Sequence, residues 1–441
     1  MTTPPERTGS VYPVRTVHTL DNGLTVVVEE DHVTPGVAVS LCYDVGSRHE
    51  RPGRTGLAHL FEHLMFQGSE HVASGEHFEV LTGLGAELNA MTSSDWTMYY
   101  EVVPVSALDM ALWLEADRLG GLLTALDQVN LDNQRDVVRN ERRERYDNQP
   151  YGTAYERLYA ATFPEGHQYH HTPIGSMADL AAASLDDVRE FFQRHYAPCN
   201  AVLSLVGDVD TEDAIKRVEK YFGGIQPGTA PPVQAPQDLG RQRNRTRIDI
   251  DDEVVPASAV HLMWRVPADG DPQCRPLQLA CELLGGAMGS RLARVLVRQQ
   301  GIAVEARCTL DRQVGGHSVV TLAVVGVDGT NADALLDAVT DQLMALAEEG
   351  PTSRELAAAR ARSEAQHFTS TTSLRGRAMA TAHGQRLFGD PNYHDRECDA
   401  LAEVNAADVQ AAVASWLRPD DATVLTYTPA GRSGSSTKER I

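Results

Sequence analysis

A chain of 441 residues is longer than a single hydrophobic core usually supports, so its length indicates about two to four packed units. The formal charge of −22, from 39 basic and 61 acidic residues, argues against a nucleic-acid partner and is typical of a solvated acidic surface. The sequence has neither a run of about 18 apolar residues nor an apolar signal segment near residue 1, so it predicts a soluble, cytoplasmic protein without a membrane partner.

The cysteines are scattered and form no C-x-x-C pair. This spacing argues against a disulfide framework and against a zinc site built on thiolates, and predicts buried thiols. They are Cys42, Cys199, Cys274, Cys281, Cys308 and Cys398.

Strand-like and helix-like segments alternate along the first half of the chain. Runs of β-branched and aromatic residues predict three strands, and an apolar periodic run predicts a helix. These segments are the strands 25–30, 37–43 and 99–103, and the helix 107–123. The second half repeats this order in outline, with strands at 259–266 and 319–325 and a helix at 277–284. Such a repeat is what a duplication would leave.

A segment rich in proline, glycine and glutamine separates the two halves. We therefore predict an N-terminal domain at 1–225, a linker at 226–247 and a C-terminal domain at 248–430. The histidine and glutamate motif considered below, from which we predict a catalytic metal site, lies in the first domain, and the corresponding helix 277–284 of the second domain has no histidine. The polar residues 431–441 predict a disordered tail.

Two histidines and a glutamate lie at helical spacing inside the apolar run 56–66. Positions i, i+3 and i+4 of a helix share one face, so His59, Glu62 and His63 project together. Two imidazoles one turn apart can reach one zinc ion at about 2.0–2.1 Å, and Glu62 is placed to take a proton from a zinc-bound water. The alternative is a pair of core histidines with a paired glutamate.

A catalytic zinc needs a third protein ligand, which we look for in the amphipathic stretch 129–146. Glu141 follows Val137 by four positions and Val138 by three, on the face that we expect to turn inward. A carboxylate on a buried face is costly unless it is paired or bound to a metal. Glu144, one turn further on, is the competing ligand, and its alternative role is that of a solvated partner of the arginines.

The motif His-x-x-Glu-His, followed by a glutamate 78 positions after the second histidine (141 − 63), resembles the inverted zincins of the pitrilysin and insulinase family. The likeness is to its half-length bacterial branch, which is similar to the mitochondrial processing peptidases. It extends over nearly the whole chain through segments 21–26, 56–68, 85–100, 135–141, 167–175 and 195–200.

This resemblance implies an α+β protein with two homologous α/β sandwich domains, each a mostly antiparallel sheet packed with helices. It implies a zinc metalloendopeptidase in which His59, His63 and Glu141 hold Zn²⁺ and Glu62 acts as the catalytic base. Two subunits would form a closed chamber. A peptide would lie there as an added strand, touching Asn89 and Ala90. The alternative for these last two residues is an ordinary sheet edge and turn.

Three positions depart from the family pattern. Gln134 stands seven residues before Glu141, where much of the family has a second glutamate. Val297 and Val304 stand where active members present an arginine and a tyrosine that grip the substrate carbonyl. Since donors of this kind often contribute about 2.7–4 kcal/mol to catalysis, we predict a heterodimer in which a homologous subunit supplies the pair. Arg298 substituting after a one-residue shift, and a homodimer, are the alternatives.

Other functions compete with peptide hydrolysis. The chain could be a non-catalytic structural or scaffold subunit of the same family, or a zinc-binding regulator. The intact ligand set and Glu62 favour the peptidase, because groups that are costly to bury should be the first to drift in a scaffold. A leader peptide, a targeting peptide or general oligopeptides all fit as substrate.

Overall fold

The computed structural model describes residues 12–232 and 234–430. Eleven strands lie in this part of the chain: β1 Arg15–Thr19, β2 Thr25–Glu30, β3 Gly36–Tyr43, β4 Glu87–Thr92, β5 Thr97–Pro104, β6 Ala201–Gly207, β7 Thr246–Asp252, β8 Ala259–Pro267, β9 Ala303–Asp311, β10 His317–Gly326 and β11 Thr423–Pro429. Fourteen α-helices accompany them: α1 Leu57–Leu64, α2 Glu76–Gly83, α3 Leu108–Ala125, α4 Gln128–Arg142, α5 Ala154–Thr162, α6 Met177–Ala182, α7 Leu185–His195, α8 Thr211–Phe222, α9 Cys274–Gly285, α10 Ala332–Glu349, α11 Ser353–Thr371, α12 Leu374–Phe388, α13 Tyr393–Glu403 and α14 Ala406–Trp416. Two π-helical segments, Arg143–Asp147 and Ala293–Gln299, interrupt the regular pattern.

The chain divides into two compact units that are not continuous in sequence. The first unit contains residues 12–137, 173–232 and 366–399, and the second contains residues 138–172, 234–365 and 400–430. The division near residue 137 falls inside the continuous helix α4, which we therefore treat as one element.

A six-stranded sheet forms the centre of the first unit. Its strand order is β1-β2-β6-β3-β5-β4, and only the β2–β6 pair is parallel. Strands β3 and β6 are almost wholly buried, as expected for central strands whose residues are apolar on both faces. Helix α12 covers one face, where Ala378 and Ala382 pack against side chains of β2, β3, β5 and β6.

A five-stranded sheet in the order β7-β11-β8-β10-β9 forms the centre of the second unit. Only the β7–β11 pair is parallel. This order and these directions repeat those of β2-β6-β3-β5-β4 in the first unit. Helix α9 lies in sequence between β8 and β9, as α1 lies between β3 and β4, and α9 carries no histidine. The repeat predicted from the sequence is thus present in the topology.

The predicted fold class, α+β with two homologous domains and mostly antiparallel sheets, is confirmed. The elements predicted from the sequence are also present, each within a few residues of its expected bounds. The domain limits 1–225, 226–247 and 248–430 stay predictions. The predicted disordered tail 431–441 lies outside the described residues.

Within residues 12–232 and 234–430, none of the helices combines the length and apolar character needed to cross a membrane.

Candidate metal centre

Helix α1 has an apolar side and a polar side. Its apolar residues, Leu57, Ala58, Leu60, Phe61 and Leu64, are buried. His59, Glu62 and His63 are half-exposed on the other side, as the i, i+3, i+4 spacing predicts. The rings of His59 and His63 lie 4.9 Å apart between centroids and almost perpendicular, at 86°.

Aromatic packing fixes the apolar side of α1. The ring of Phe61 stacks on Phe191 at 5.4 Å, on Phe192 at 5.9 Å and on Tyr196 at 5.1 Å between centroids. Since these three rings belong to α7 and the residue after it, α1 cannot rotate about its axis without losing this stack. The packing therefore determines the direction in which the two imidazoles point.

Helix α4 presents Glu141 from a partly buried face. Leu131 and Val138 are fully buried and Gln134 is 8% exposed, so the inward face of the helix continues from these residues to Glu141. The sequence argument from Val137 was wrong, because that side chain is 43% exposed. The competing ligand Glu144 lies in the π-helical segment and is exposed.

One nitrogen each of His59 and His63 and a carboxylate oxygen of Glu141 all lie within 4.8 Å of one another. Donors bound to one zinc ion at about 2.0–2.2 Å can be at most about 4.4 Å apart, so this spacing is within a small side-chain adjustment of coordination. Two imidazoles and one carboxylate are a donor set that zinc takes at catalytic sites, where a fourth position is left for water. The residues present therefore fit zinc.

Positive charge lies next to the carboxylate of Glu141. The Nη1 atom of Arg145 is 2.7 Å from Oε1 of Glu141, in an i, i+4 pair that reaches into the π-helical segment. Arg142, the last residue of α4, donates two hydrogen bonds to the carboxylate of Glu156 on α5, at 2.6 and 2.8 Å. The end of α4 is thus held by the ion pairs of Arg142 and Arg145, which both follow Glu141.

The surroundings of Glu62 are rich in tyrosine. Burial raises the pKa of Tyr99 and of Tyr196, and the negative charge of Glu62 raises both further. The two phenol oxygens are 3.3 Å apart. Because both phenols stay protonated at neutral pH, neither of them can act as a base beside Glu62.

The two predicted substrate contacts lie on β4, at the end of the strand order of the first sheet. Asn89 is exposed and Ala90 is 8% exposed. The backbone N–H of Ala90 donates to the side-chain oxygen of Asn89 at 2.8 Å. Strand β4 pairs with β5 and ends the strand order of this sheet, so its other edge pairs with no strand among the described residues.

The positions expected to hold the arginine and tyrosine pair carry valine in both cases. Val297 lies in the π-helical segment Ala293–Gln299 and is half-buried against the core of the second unit. Val304 lies on β9 and is 60% exposed. The neighbouring Arg298 donates from Nη2 to the carbonyl oxygen of Met288 at 2.5 Å.

A second group of possible ligands in the described chain is formed by Glu30, His32 and Asp210, all of them exposed. These groups already have other partners: Glu30 accepts hydrogen bonds from Thr211, and His32 lies 2.7 Å from Asp208. Exposed acidic groups of this kind are common without a metal, so the group around His59 is the stronger candidate.

Two residues near the site were not identified from the sequence. Arg145 was not singled out among the arginines of the stretch 129–146. Glu50 accepts hydrogen bonds from the backbone N–H groups of Gly56 and Ala58, at the start of α1. A glycine at the N-cap position, with an acidic residue shortly before it, is a signal that could have indicated Glu50.

Comparisons with known proteins identify the relatives of this chain. The sequence profile of the insulinase family, peptidase family M16, matches residues 25–172, and the profile of the peptidase M16 inactive domain matches residues 182–363. The zinc protease PqqE of Helicobacter pylori is 32% identical over 323 residues, which cover 72% of this chain and 71% of that protein.

Two further similarities extend over nearly the full length. The uncharacterized zinc protease YmxG of Bacillus subtilis is 25% identical over 422 residues, which cover 95% of this chain and 99% of that protein. The crystal structure of a protease from Helicobacter pylori superposes with a TM-score of 0.89 at 27% identity, covering 95% of this chain and 100% of that one.

Proposed function

This chain belongs to the insulinase family, peptidase family M16, and from that premise we propose that it is a zinc-dependent endopeptidase acting on peptides or unfolded segments. The observation that carries the proposal is the convergence of His59, His63 and Glu141 within 4.8 Å, with Glu62 on the same face of α1. The names of the relatives, which are described as zinc proteases, support the metal and the class of reaction.

In this proposal His59 and His63 hold zinc from α1, and Glu141 holds it from α4. When bound, zinc supplies a Lewis acid that polarises the scissile carbonyl and lowers the pKa of a coordinated water toward ~7. The buried aromatic stack under Phe61 and the ion pairs at the end of α4 keep these three side chains in place.

Glu62 is the proposed general base. Its carboxylate takes a proton from the attacking water and then delivers it to the nitrogen of the leaving amine. Because the neighbouring phenols of Tyr99 and Tyr196 stay protonated, Glu62 is the group that can accept this proton among these three side chains.

The outer edge of β4 is the proposed site for the substrate strand. The N–H of Ala90 is held by the side chain of Asn89, and a peptide carbonyl could take the place of that side-chain oxygen. Backbone pairing of this kind gives affinity with little dependence on sequence. It fits a peptidase that accepts extended segments inside a closed chamber.

We further propose that this chain is the zinc-bearing subunit of a heterodimer. The side chains of Val297 and Val304 offer no hydrogen-bond donor for the developing oxyanion, and Arg298 already donates to the backbone of Met288. A homologous subunit with an arginine and a tyrosine at the corresponding positions would complete the site. A homodimer is the alternative. The cytoplasmic location stays a prediction.

The decisive experiment compares the purified chain, alone and with its candidate partner, on a quenched fluorescent peptide, together with its zinc content. We expect one zinc per chain and turnover that depends on Glu62. A chain that binds zinc but shows no hydrolysis with any partner would instead support the scaffold or regulatory alternatives. Full activity of the lone chain would contradict the heterodimer and leave the peptidase proposal standing.

A further inference from the structure

A carboxylate outside the donor set holds the start of the helix that carries two of the proposed zinc ligands. Oε2 of Glu50 accepts a hydrogen bond from the N–H of Gly56 at 2.8 Å, and Oε1 accepts one from the N–H of Ala58 at 2.7 Å. The Glu50 residue is only 9% exposed. One buried side chain thus satisfies two of the four amides that the first turn of a helix leaves without an intrahelical acceptor.

Helix α1 cannot cap itself. Its N-cap residue is Gly56, which has no side chain to accept a hydrogen bond from the first turn. Another residue is unfavourable there, because the φ of Gly56 is +91° and a Cβ atom would lie 3.0 Å from the carbonyl oxygen of Ile174. The sequence therefore places a glycine where the backbone requires one and leaves capping to Glu50, whose negative charge also suits the positive end of the helix dipole.

The short segment between Glu50 and α1 is held at further points of the first unit. Both the N–H and the hydroxyl of Thr55 donate to Oδ2 of Asp179, at 3.0 and 2.7 Å. Arg54 donates to Asp187 at 2.9 Å. With this loop fixed, the two hydrogen bonds of Glu50 hold the first turn of α1, while the Phe61 stack holds its middle, and both contacts restrict rotation of the helix about its axis.

We propose that Glu50 is a positioning residue of the metal centre: by capping α1 it fixes, together with the Phe61 stack, the rotation of the helix, and so the placement of the His59 and His63 imidazoles relative to Glu141. This inference rests on the proposed zinc site. In this proposal Glu50 affects metal affinity although it is not a ligand. Even a slight rotation of the eight-residue helix α1 moves both histidine ligands at once.

The test is a series at position 50 in the full chain, read by zinc affinity in competition with a chelator. Glu50→Gln keeps the length of the side chain but only one acceptor oxygen, and Glu50→Ala keeps none. We expect zinc affinity to fall in the order Glu, Gln, Ala, with a loss of about tenfold to hundredfold for Glu50→Ala. The visible spectrum of the cobalt-substituted protein should change in the same order.

A matched control separates positioning from general stability. Ser373 caps α12 in the same unit, where its hydroxyl oxygen accepts from the N–H of Gly376 at 3.0 Å, and that helix carries none of the proposed ligands. Ser373→Ala should lower the melting temperature and leave zinc affinity and the cobalt spectrum unchanged.

The possible failures are distinguishable. If the unmodified chain binds zinc tightly and Glu50→Ala binds it equally well with the same cobalt spectrum, the role of Glu50 is refuted and the peptidase proposal is untouched. An equal loss of zinc affinity in Ser373→Ala and Glu50→Ala would also refute it, since the effect would then be one of stability. If the unmodified chain takes up no zinc, both proposals fall.

Discussion

The guanidinium of Arg145 lies 2.7 Å from the carboxylate of Glu141, the proposed third zinc ligand. The side chain of Arg145 is 73% exposed, whereas that of Glu141 is 15% exposed. An ion pair with one partner so open to water contributes little, about 0.2–1 kcal/mol. The ion pair with Arg145 can therefore break or be shared when Glu141 binds a metal ion. Without a metal, Arg145 partly balances the negative charge of Glu141.

Substitutions at three neighbouring positions should separate the ligand from its surroundings. We expect Glu141→Gln to lower zinc affinity by more than about hundredfold, because a direct donor is lost, and Arg145→Gln to change it by less than about fivefold. Glu144→Gln is the matched control, since Glu144 is exposed in the π-helical segment. Chelator competition measures all three. Loss of zinc in Glu144→Gln together with retention in Glu141→Gln would assign the ligand to the other glutamate.

Replacement of Glu62 by glutamine should leave zinc binding intact and lower kcat by about 10²–10⁴-fold, the usual contribution of a general base. The amide has nearly the same shape as the carboxylate but cannot accept the proton. Metal content and turnover of a quenched peptide are measured on the same preparation. Unchanged turnover would remove Glu62 from the mechanism.

The edge of β4 offers a test of substrate binding that spares the metal. Ala90→Pro removes the N–H that donates to Asn89, and proline is tolerated on edge strands. We expect a higher KM with unchanged zinc affinity, while Ala90→Ser, which keeps the N–H, should behave as the unmodified chain. If KM is the same for proline and serine at position 90, the peptide does not pair with this amide.

Because the chain lacks the arginine and tyrosine donors, its peptidase activity should depend on a partner subunit. With valine at positions 297 and 304, the lone chain should turn over a peptide about 10²–10³-fold more slowly than the complex with its homologous subunit. A titration of the chain with its candidate partner, followed by activity and by the mass of the assembly, checks this. Activity that is independent of the partner's concentration would argue for a homodimer.

Acid should weaken the second unit through Glu355. Partial burial acts to raise the pKa of this carboxyl, but hydrogen bonds from Arg291 and Thr352 and the charge of Arg291 outweigh it and lower the pKa to about 2. Because the folded pKa lies below the ordinary value of 4.5, the stabilisation is present above about pH 4.5 and is lost as the pH falls from there through 2.

Urea unfolding between pH 3 and 6 measures this dependence. Glu355→Gln should reduce the change in the free energy of unfolding across this pH range by about 1–2 kcal/mol. The exposed Glu349, at the end of α10, serves as the control, and Glu349→Gln should leave the slope unchanged. An unaltered slope in Glu355→Gln would show that the ion pair with Arg291 does not couple to folding.

Much of the fold followed from periodicity. Strand β2 has the predicted bounds, and β3 and β8 extend the predicted runs by one residue each, because their residues are apolar on both faces and unambiguous. What the sequence could not indicate is the assignment of 366–399 to the first unit. That assignment depends on the small side chains Ala378 and Ala382 packing against strands more than 150 residues away, and no local pattern encodes such a partner.

At the site, helical spacing was enough to place His59, Glu62 and His63 on one face. The position of Glu141 was predicted partly for the wrong reason, since Val137 is exposed and the buried face runs through Gln134 and Val138. The π-helical turn after Arg142 and the capping by Glu50 depend on tertiary contacts of single residues. Neither leaves a periodic signal in the sequence, which is why both went unpredicted.

The strand order also has a consequence for biosynthesis. In the second sheet, β11 at Thr423–Pro429 lies between β7 and β8, and in the first unit α12 at Leu374–Phe388 covers β3 and β6. Neither unit can be completed before these segments have been translated, so the nascent chain exposes apolar strand faces until then. A truncation before residue 423 would remove an interior strand, and with it the pairing on both sides.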